Sequence, residues 1–201
     1  MKEYRFFRIA YRFIIPVVTF LFPLRIRHRE RVPEGPMVIC APHSMLVDPF
    51  LLVALLTIRR FPRFLAKKEL FSKPVVGSFL KRIGMIPVDR GNADISAIKT
   101  ALGILKNKGI VGIFPEGTRV KEDEGSQAKT GAVMLASRTG VPILPVWMPR
   151  KKRLFHKVDL VVGEPYSLPA LRGNAEYLPH AEELMRRIGM LQKEAEPCTW
   201  E

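Results

Sequence analysis

The sequence predicts a single α/β domain behind a helical N-terminal segment. Beyond residue 31, apolar runs of strand length alternate with stretches of helical periodicity. At 201 residues and 47% hydrophobic content, the chain is long enough to bury one sizeable core and too apolar for disorder. The first 30 residues differ in kind, interleaving basic and aromatic side chains with an apolar run. The expected organisation is a segment 1–30 and a domain 31–201.

The N-terminal segment carries Lys2, Arg5, Arg8 and Arg12 among Tyr4, Phe6, Phe7, Tyr11 and Phe13, and four more arginines lie between residues 25 and 31. Its uncharged stretch, 13–24, falls short of the ~20 residues that span a bilayer, and Pro16 and Pro23 interrupt it. It is expected to be a helix lying in a membrane interface, anchoring without crossing. Packing on the body of the domain is the competing reading. A secretory signal is disfavoured because arginines, not a small-x-small cleavage site, come after Leu24.

Within the domain, residues 37–41 are a short apolar run of strand character. Asp48 before Pro49 is a standard helix start, a cap with Pro at the first helical position, and it heads an apolar helix from Phe50. Residues 61–66 and 85–88 read as strands, with 75–83 helical between them. In 92–108, Ile95, Ile98, Leu102 and Leu105 recur at helical spacing, with Asn92 placed to cap the start and Gly109 to end it. Residues 110–114, 141–147 and 158–162 read as strands, 129–138 and 180–194 as helices, and 198–201 as a frayed tail. Leu178, Leu184, Ile188 and Leu191 suggest that the last helix covers the core.

Two motifs some seventy residues apart hold the chemistry, His43-Ser-Met-Leu-Val-Asp48 and Phe114-Pro-Glu-Gly-Thr-Arg119. A histidine with a carboxylate five residues on has the parts of a general-base dyad: the imidazole takes a proton near neutral pH, and the carboxylate fixes its tautomer. On a continuous helix the two side chains would sit about 140° apart, so their meeting requires a turn, which Pro42 and Pro49 bracket. A substrate that brings its own hydroxyl needs no protein nucleophile. Each motif also has a plain structural reading, Asp48 as a helix cap and Pro-Glu-Gly as the turn ending a strand.

With these residues in view, the chain resembles the glycerolipid acyltransferase superfamily, specifically the 1-acylglycerol-3-phosphate acyltransferases of the bacterial type. Four blocks match in order: His43 to Asp48, Gly84-Met-Ile-Pro-Val-Asp-Arg90, Phe114 to Arg119, and Val141-Pro-Ile-Leu-Pro-Val146. Two minor ones, Ala66-Lys-Lys-Glu-Leu70 and Ala128-Lys-Thr-Gly-Ala132, match as well. The likeness spans about residues 30 to 165.

The resemblance implies a mixed sheet flanked by helices, with 31–201 as the catalytic domain. It implies a reaction in which His43, oriented by Asp48, deprotonates the sn-2 hydroxyl of lysophosphatidate as that hydroxyl attacks an acyl thioester on coenzyme A or acyl carrier protein. No metal and no cofactor beyond that co-substrate is expected. Arg90 and Arg119 are the expected phosphate ligands, because a guanidinium presents a planar fork of donors, and Lys67 is a candidate to join them. Gly117 is expected to let the backbone turn close to substrate. Glu116 is expected to accept a hydrogen bond from a substrate hydroxyl or to hold Arg119. The 141–146 block has no ionisable group and is expected to shape a wall, for the acyl chain or the thioester arm, by packing rather than by chemistry. Backbone N–H groups of the His43 or Gly117 turn are the expected oxyanion donors.

The net charge of +14 points to an anionic partner, and the apolar, aromatic N-terminus fits anionic phospholipid better than nucleic acid, for which no motif is present. The expected location is peripheral, at the cytoplasmic face of the cell membrane. The cluster Arg150-Lys-Lys-Arg153 with Lys157 is read as a dock for an acidic carrier protein, a lipid contact, or a solvated loop. Cys40 and Cys198 have no metal or redox spacing and are expected to be free thiols in a reducing compartment. Two alternatives stand beside the main reading: the same chemistry on glycerol 3-phosphate, another lysophospholipid or a lyso-amino-lipid, and a non-catalytic basic protein that binds membranes or nucleic acid.

Overall fold

The computed structural model describes residues 2–56, 60–89, 94–117 and 128–195. Seven strands form one mixed sheet: β1 (Leu24–Arg27), β2 (Met37–Cys40), β3 (Pro62–Lys67), β4 (Ile86–Val88), β5 (Ile110–Ile113), β6 (Ile143–Trp147) and β7 (Val158–Val162), in the order β1-β7-β6-β2-β5-β3-β4. From β6 to β4 all neighbours are parallel; β7 runs antiparallel to β6, and β1 pairs parallel to β7. The α/β alternation and the mixed sheet are as expected.

Every residue of β2 is buried, as a strand covered on both faces requires. Its side chains alternate between two cores. Met37 and Ile39 point to one, with α1 (Lys2–Leu21), α2 (Asp48–Leu56) and α3 (Pro74–Arg82); Val38 and Cys40 point to the other, with α4 (Ile95–Lys106), α5 (Gly131–Thr139) and α6 (Asn174–Leu191). Cys40 is therefore a buried free thiol, and burial pushes its ionisation up. Cys198 lies outside the described residues.

Several boundaries differ from expectation for local reasons. Asn92 lies outside the described residues, and Asp94 caps α4, its Oδ1 accepting from the Ala97 N–H at 3.0 Å. The left-handed residue after α4 is Lys108 rather than Gly109. α6 starts six residues earlier than expected, and Pro179 lies within it. Its buried stripe is Tyr177, Ala181, Leu184, Ile188 and Leu191, which leaves Leu178 on the exposed side.

The N-terminal segment is built into the domain. β1 is an edge strand whose Arg25 lies opposite Asp159 of β7, their side chains 3.5 Å apart. α1 continues through Pro16, which is exposed and has no N–H to offer the Arg12 carbonyl. Tyr11, Ile15, Val18 and Leu21 face the core, and Tyr11 stacks obliquely on Phe50 of α2 with ring centres 6.0 Å apart. The opposite face presents Phe6, Ile9, Phe13, Val17 and Phe20 to the outside, a stripe at helical spacing.

A missing side chain in β5 positions two aromatic rings. A Cβ on Gly112 would stand 2.2 Å from the Phe64 ring, so only glycine lets β3 and β5 close with that ring between them. Phe64 in turn stacks on Phe114 at 5.5 Å. Gly112→Ala is expected to cost about 1–3 kcal/mol, since overpacking here meets a ring held on both sides. Urea unfolding of the variant beside the native protein measures it.

Candidate active site

The parallel strands β2, β5 and β6 all end at one edge of the sheet, and the segments leaving them meet there. Ligands of open α/β sheets collect at this carboxyl edge. Chain reversals thus bring His43 and Asp48, after β2, against Glu116, after β5, and Arg150 and Lys152, after β6.

The turn expected within the first motif exists. Asp48 is both dyad partner and helix start: it opens α2 while its Oδ2 accepts from His43 Nδ1 at 3.0 Å, from the Ser44 N–H at 2.7 Å and from the Met45 N–H at 2.8 Å. A carboxylate can only accept, so Nδ1 carries the proton and Nε2 of the neutral ring is left as a base. The ring is held from its face by Phe114, stacked at 4.1 Å.

Asp48 is fully buried, and its second oxygen, Oδ1, is met by Lys152 Nζ at 2.8 Å. Burial pushes the Asp48 carboxyl up, but the His43 hydrogen bond, the Lys152 charge and the Met45 N–H outweigh it, and the net direction is below the ordinary value. For Lys152, burial pulls the ammonium below its ordinary value while Asp48 opposes it. Lys152 Nζ also donates to Ser44 Oγ at 3.1 Å, and Ser44 Oγ donates to the Arg150 carbonyl at 2.6 Å. The serine beside the histidine is thereby committed to structure and is not positioned as a nucleophile.

Glu116 stands next to His43 at the base of the second motif. Its side chain is fully buried, Oε2 accepts the His43 N–H at 3.0 Å, and Oε1 pairs with Arg150. Through these two contacts Glu116 ties the two motifs together; Arg119, the other partner expected for it, lies outside the described residues. Of the N–H groups expected as oxyanion donors, four already have acceptors, and that of Thr118 lies outside the described residues. The N–H groups of His43, Ser44 and Met45 are engaged by the two carboxylates, and that of Gly117 by the Phe114 carbonyl at 2.9 Å.

Beside His43 opens a largely apolar cavity of about 170 Å³, walled by residues of β3, β4, α4, β5 and α5 and bordered by Phe114, Gly117 and Lys129. Gly117 has φ +71°, and a Cβ on it would approach the Lys129 chain to 3.2 Å, so the expected tight turn is present at the cavity's rim. Lys129, which stands in the sequence only as part of a minor block, is a cation of this cavity. The wall expected of residues 141–146 is not part of this cavity; Val141, Ile143, Leu144 and Val146 pack in the core instead.

Arg90 and Arg119 lie outside the described residues. Lys67 ends β3 on the same sheet edge but does not border the cavity; it is 53% exposed and pairs with Glu69 at 3.3 Å. The basic cluster after β6 is corrected in part. Lys152 is buried and Arg150 is paired, so neither belongs to a docking surface, while Lys151, Arg153 and Lys157 are exposed. Sequence reasoning missed both partners because a cation in a basic stretch reads as solvated. Among the described residues no cluster of His, Cys, Asp and Glu is arranged to hold a metal ion.

Comparison with known proteins bears on the family of the chain. The chain is 37% identical to the 1-acyl-sn-glycerol-3-phosphate acyltransferase of Bacillus subtilis over 87% of its own length and 89% of that protein's. It is 30% identical to the enzyme of that name from Streptococcus pneumoniae, over 67% of this chain and 52% of that one. The crystal structure of the 1-acyl-sn-glycerophosphate (LPA) acyltransferase from Thermotoga maritima superposes with a TM-score of 0.69 at 22% identity, covering 98% of this chain and 81% of that one, a likeness of fold. A model of the family described as Acyltransferase matches residues 23–149, the span that runs from β1 through both motifs to the end of β6, and the chain belongs to that family.

Proposed function

We propose that the protein transfers a fatty acyl group from a thioester to the sn-2 hydroxyl of 1-acylglycerol 3-phosphate, giving phosphatidate. The observation that carries this reading is an imidazole whose Nδ1 is fixed on a buried carboxylate and whose Nε2 is left as a base beside an apolar cavity. In the step it supports, Nε2 takes the hydroxyl proton as the substrate oxygen attacks the thioester carbonyl. The tetrahedral intermediate then expels the thiolate, which takes the proton back from the imidazolium. No acyl-enzyme and no cofactor enters; the thioester is carried on coenzyme A or acyl carrier protein. Arg90 and Arg119 are proposed as phosphate ligands on the strength of their motifs, and the cavity as a place for acyl carbon atoms. The names of the relatives favour lysophosphatidate over other acceptors.

We also propose a peripheral site of work on anionic membranes, at the cytoplasmic face, where a free thiol such as Cys40 stays reduced. Among the described residues no helix is long and apolar enough to cross a membrane. The outward stripe of α1 supports interfacial binding, and a second element joins it. Phe155, in the left-handed conformation at φ +63°, packs edge-on against Phe20 at 5.8 Å and donates its N–H to the Leu21 carbonyl at 2.6 Å. Exposed Leu154 and Phe155, flanked by Lys151, Arg153 and Lys157, thus extend the α1 stripe with apolar tips in basic surroundings.

Purified protein assayed for phosphatidate with lysophosphatidate and palmitoyl thioester, on either carrier, tests the reaction. His43→Ala is expected to lose about 10²–10⁴-fold in kcat. Arg119→Ala is expected to act mainly on KM for lysophosphatidate. Near-native turnover without His43 sinks the mechanism. For the membrane surface, Phe13 and Phe20 are 70% and 71% exposed, so the double substitution F13E/F20E should leave the fold intact. Sedimentation with phosphatidylglycerol vesicles is expected to fall at least about tenfold in the variant; unchanged binding removes α1 from the interface.

A further inference from the structure

Asp48 uses one oxygen to orient His43, and that oxygen already has three donors. The other is buried and faces Lys152 alone among the described side chains. A methionine or leucine would fill the volume of a lysine stem without burying an ammonium, and removing a charge from the interior is often neutral or stabilising when the partner goes with it. Here the partner cannot go, because the proposed reaction depends on it. Lys152 also lies beyond residue 149, where the family match ends, so nothing in that match assigns it a role.

We propose that Lys152 is a positioning residue for acyl transfer: its ion pair with Asp48 fixes the carboxylate's rotation toward His43 and offsets the charge that carboxylate presents to the imidazole. This inference rests on the reading of His43 as general base.

The geometry supports both halves. Nζ is anchored at two points, Asp48 Oδ1 at 2.8 Å and Ser44 Oγ at 3.1 Å, and the serine is itself locked to the Arg150 carbonyl. With Oδ1 so held, Oδ2 has one orientation, the one facing Nδ1 and the Ser44 and Met45 N–H groups. On the charge side, the groups around His43 among the described residues are Asp48, balanced by Lys152; Glu116, which takes the His43 N–H and is balanced by Arg150; and Lys129 across the cavity. Each of these two carboxylates is matched by a cation from the connection after β6. Without Lys152, one buried carboxylate would stand unmatched 3.0 Å from the imidazole and would favour imidazolium, which is the form that cannot act as base.

The test is the pH dependence of kcat/KM for phosphatidate formation by native protein, K152M and K152R. In K152M the acidic limb is expected to move to higher pH, on top of any loss in plateau activity. K152R, which keeps the charge, should hold the native limb. Limbs that superimpose for native and K152M, whatever the plateau, make Lys152 a purely structural residue and overturn the proposal. Should K152M fail to fold, K152Q keeps a donor for Ser44 and carries the same comparison.

A native protein that forms no product with any donor overturns the acyl-transfer reading, an outcome distinct from an unmoved limb. Unfolding of D48N, K152M and D48N/K152M needs no substrate and gives the pairing by itself. The double variant is expected to be more stable than the sum of the single losses predicts. Asp48's carboxyl is held low in the fold, so the coupling should be full above the ordinary carboxylate range and vanish as pH falls through the folded value. Additive losses at neutral pH overturn the pairing.

Discussion

Two buried carboxylates at the carboxyl edge of the sheet govern the rest of this site. Asp48 and Glu116 have no exposed side-chain surface, and an unmatched carboxylate in such a place costs more than a domain of this size can spare. The local chain is consequently organised around supplying donors. Three backbone N–H groups of the His43 turn, one imidazole, one ammonium and one guanidinium converge on four oxygens. The turn cannot relax into a regular helix, because its N–H groups are committed to side chains. That is why α2 begins only at Asp48, and why the imidazole projects from an irregular segment while being held on two sides.

Much of this was legible in the sequence, and the illegible part has a common cause. Strand and helix alternation comes from periodicity, which is local, and the His43 to Asp48 pairing comes from spacing, which is also local. Lys152 and Arg150 act on residues more than thirty positions away, and nothing in a basic stretch distinguishes the two cations that fold inward from the three that stay in solvent. The same holds for Phe114. Its stack on His43 depends on Phe64 filling the space above Gly112, an arrangement across strands that no single segment announces. Pro16, read as an interruption of the apolar stretch, lies inside a continuous helix.

For the N-terminal segment, interfacial anchoring and packing on the body exclude each other only if the helix has a single apolar face. α1 has two: Tyr11, Ile15, Val18 and Leu21 belong to the core, while Phe6, Ile9, Phe13, Val17 and Phe20 do not. Aromatic and aliphatic residues distributed round a helix, with arginines between them, are the pattern that two such faces require. Because Tyr11 rests on Phe50, two residues after Asp48, the exposed stripe is rigidly related to the turn that holds His43.

The connection between β6 and β7 joins the site to that stripe. It must reverse direction, since β7 runs antiparallel to β6, and it crosses the carboxyl edge in doing so. Between Arg150 and Phe155 it sends Arg150 to Glu116, Lys152 to Asp48, and Phe155 to Phe20 and the end of α1. A loop with that many fixed partners is ordered by them, and its left-handed Phe155 is a conformation that a bulky residue adopts only when its surroundings dictate it. The same short stretch therefore closes the charge balance of the buried carboxylates and sets the apolar tip beside the α1 stripe. The pairing of His43 with Asp48 and the outer face of the protein share one structural support.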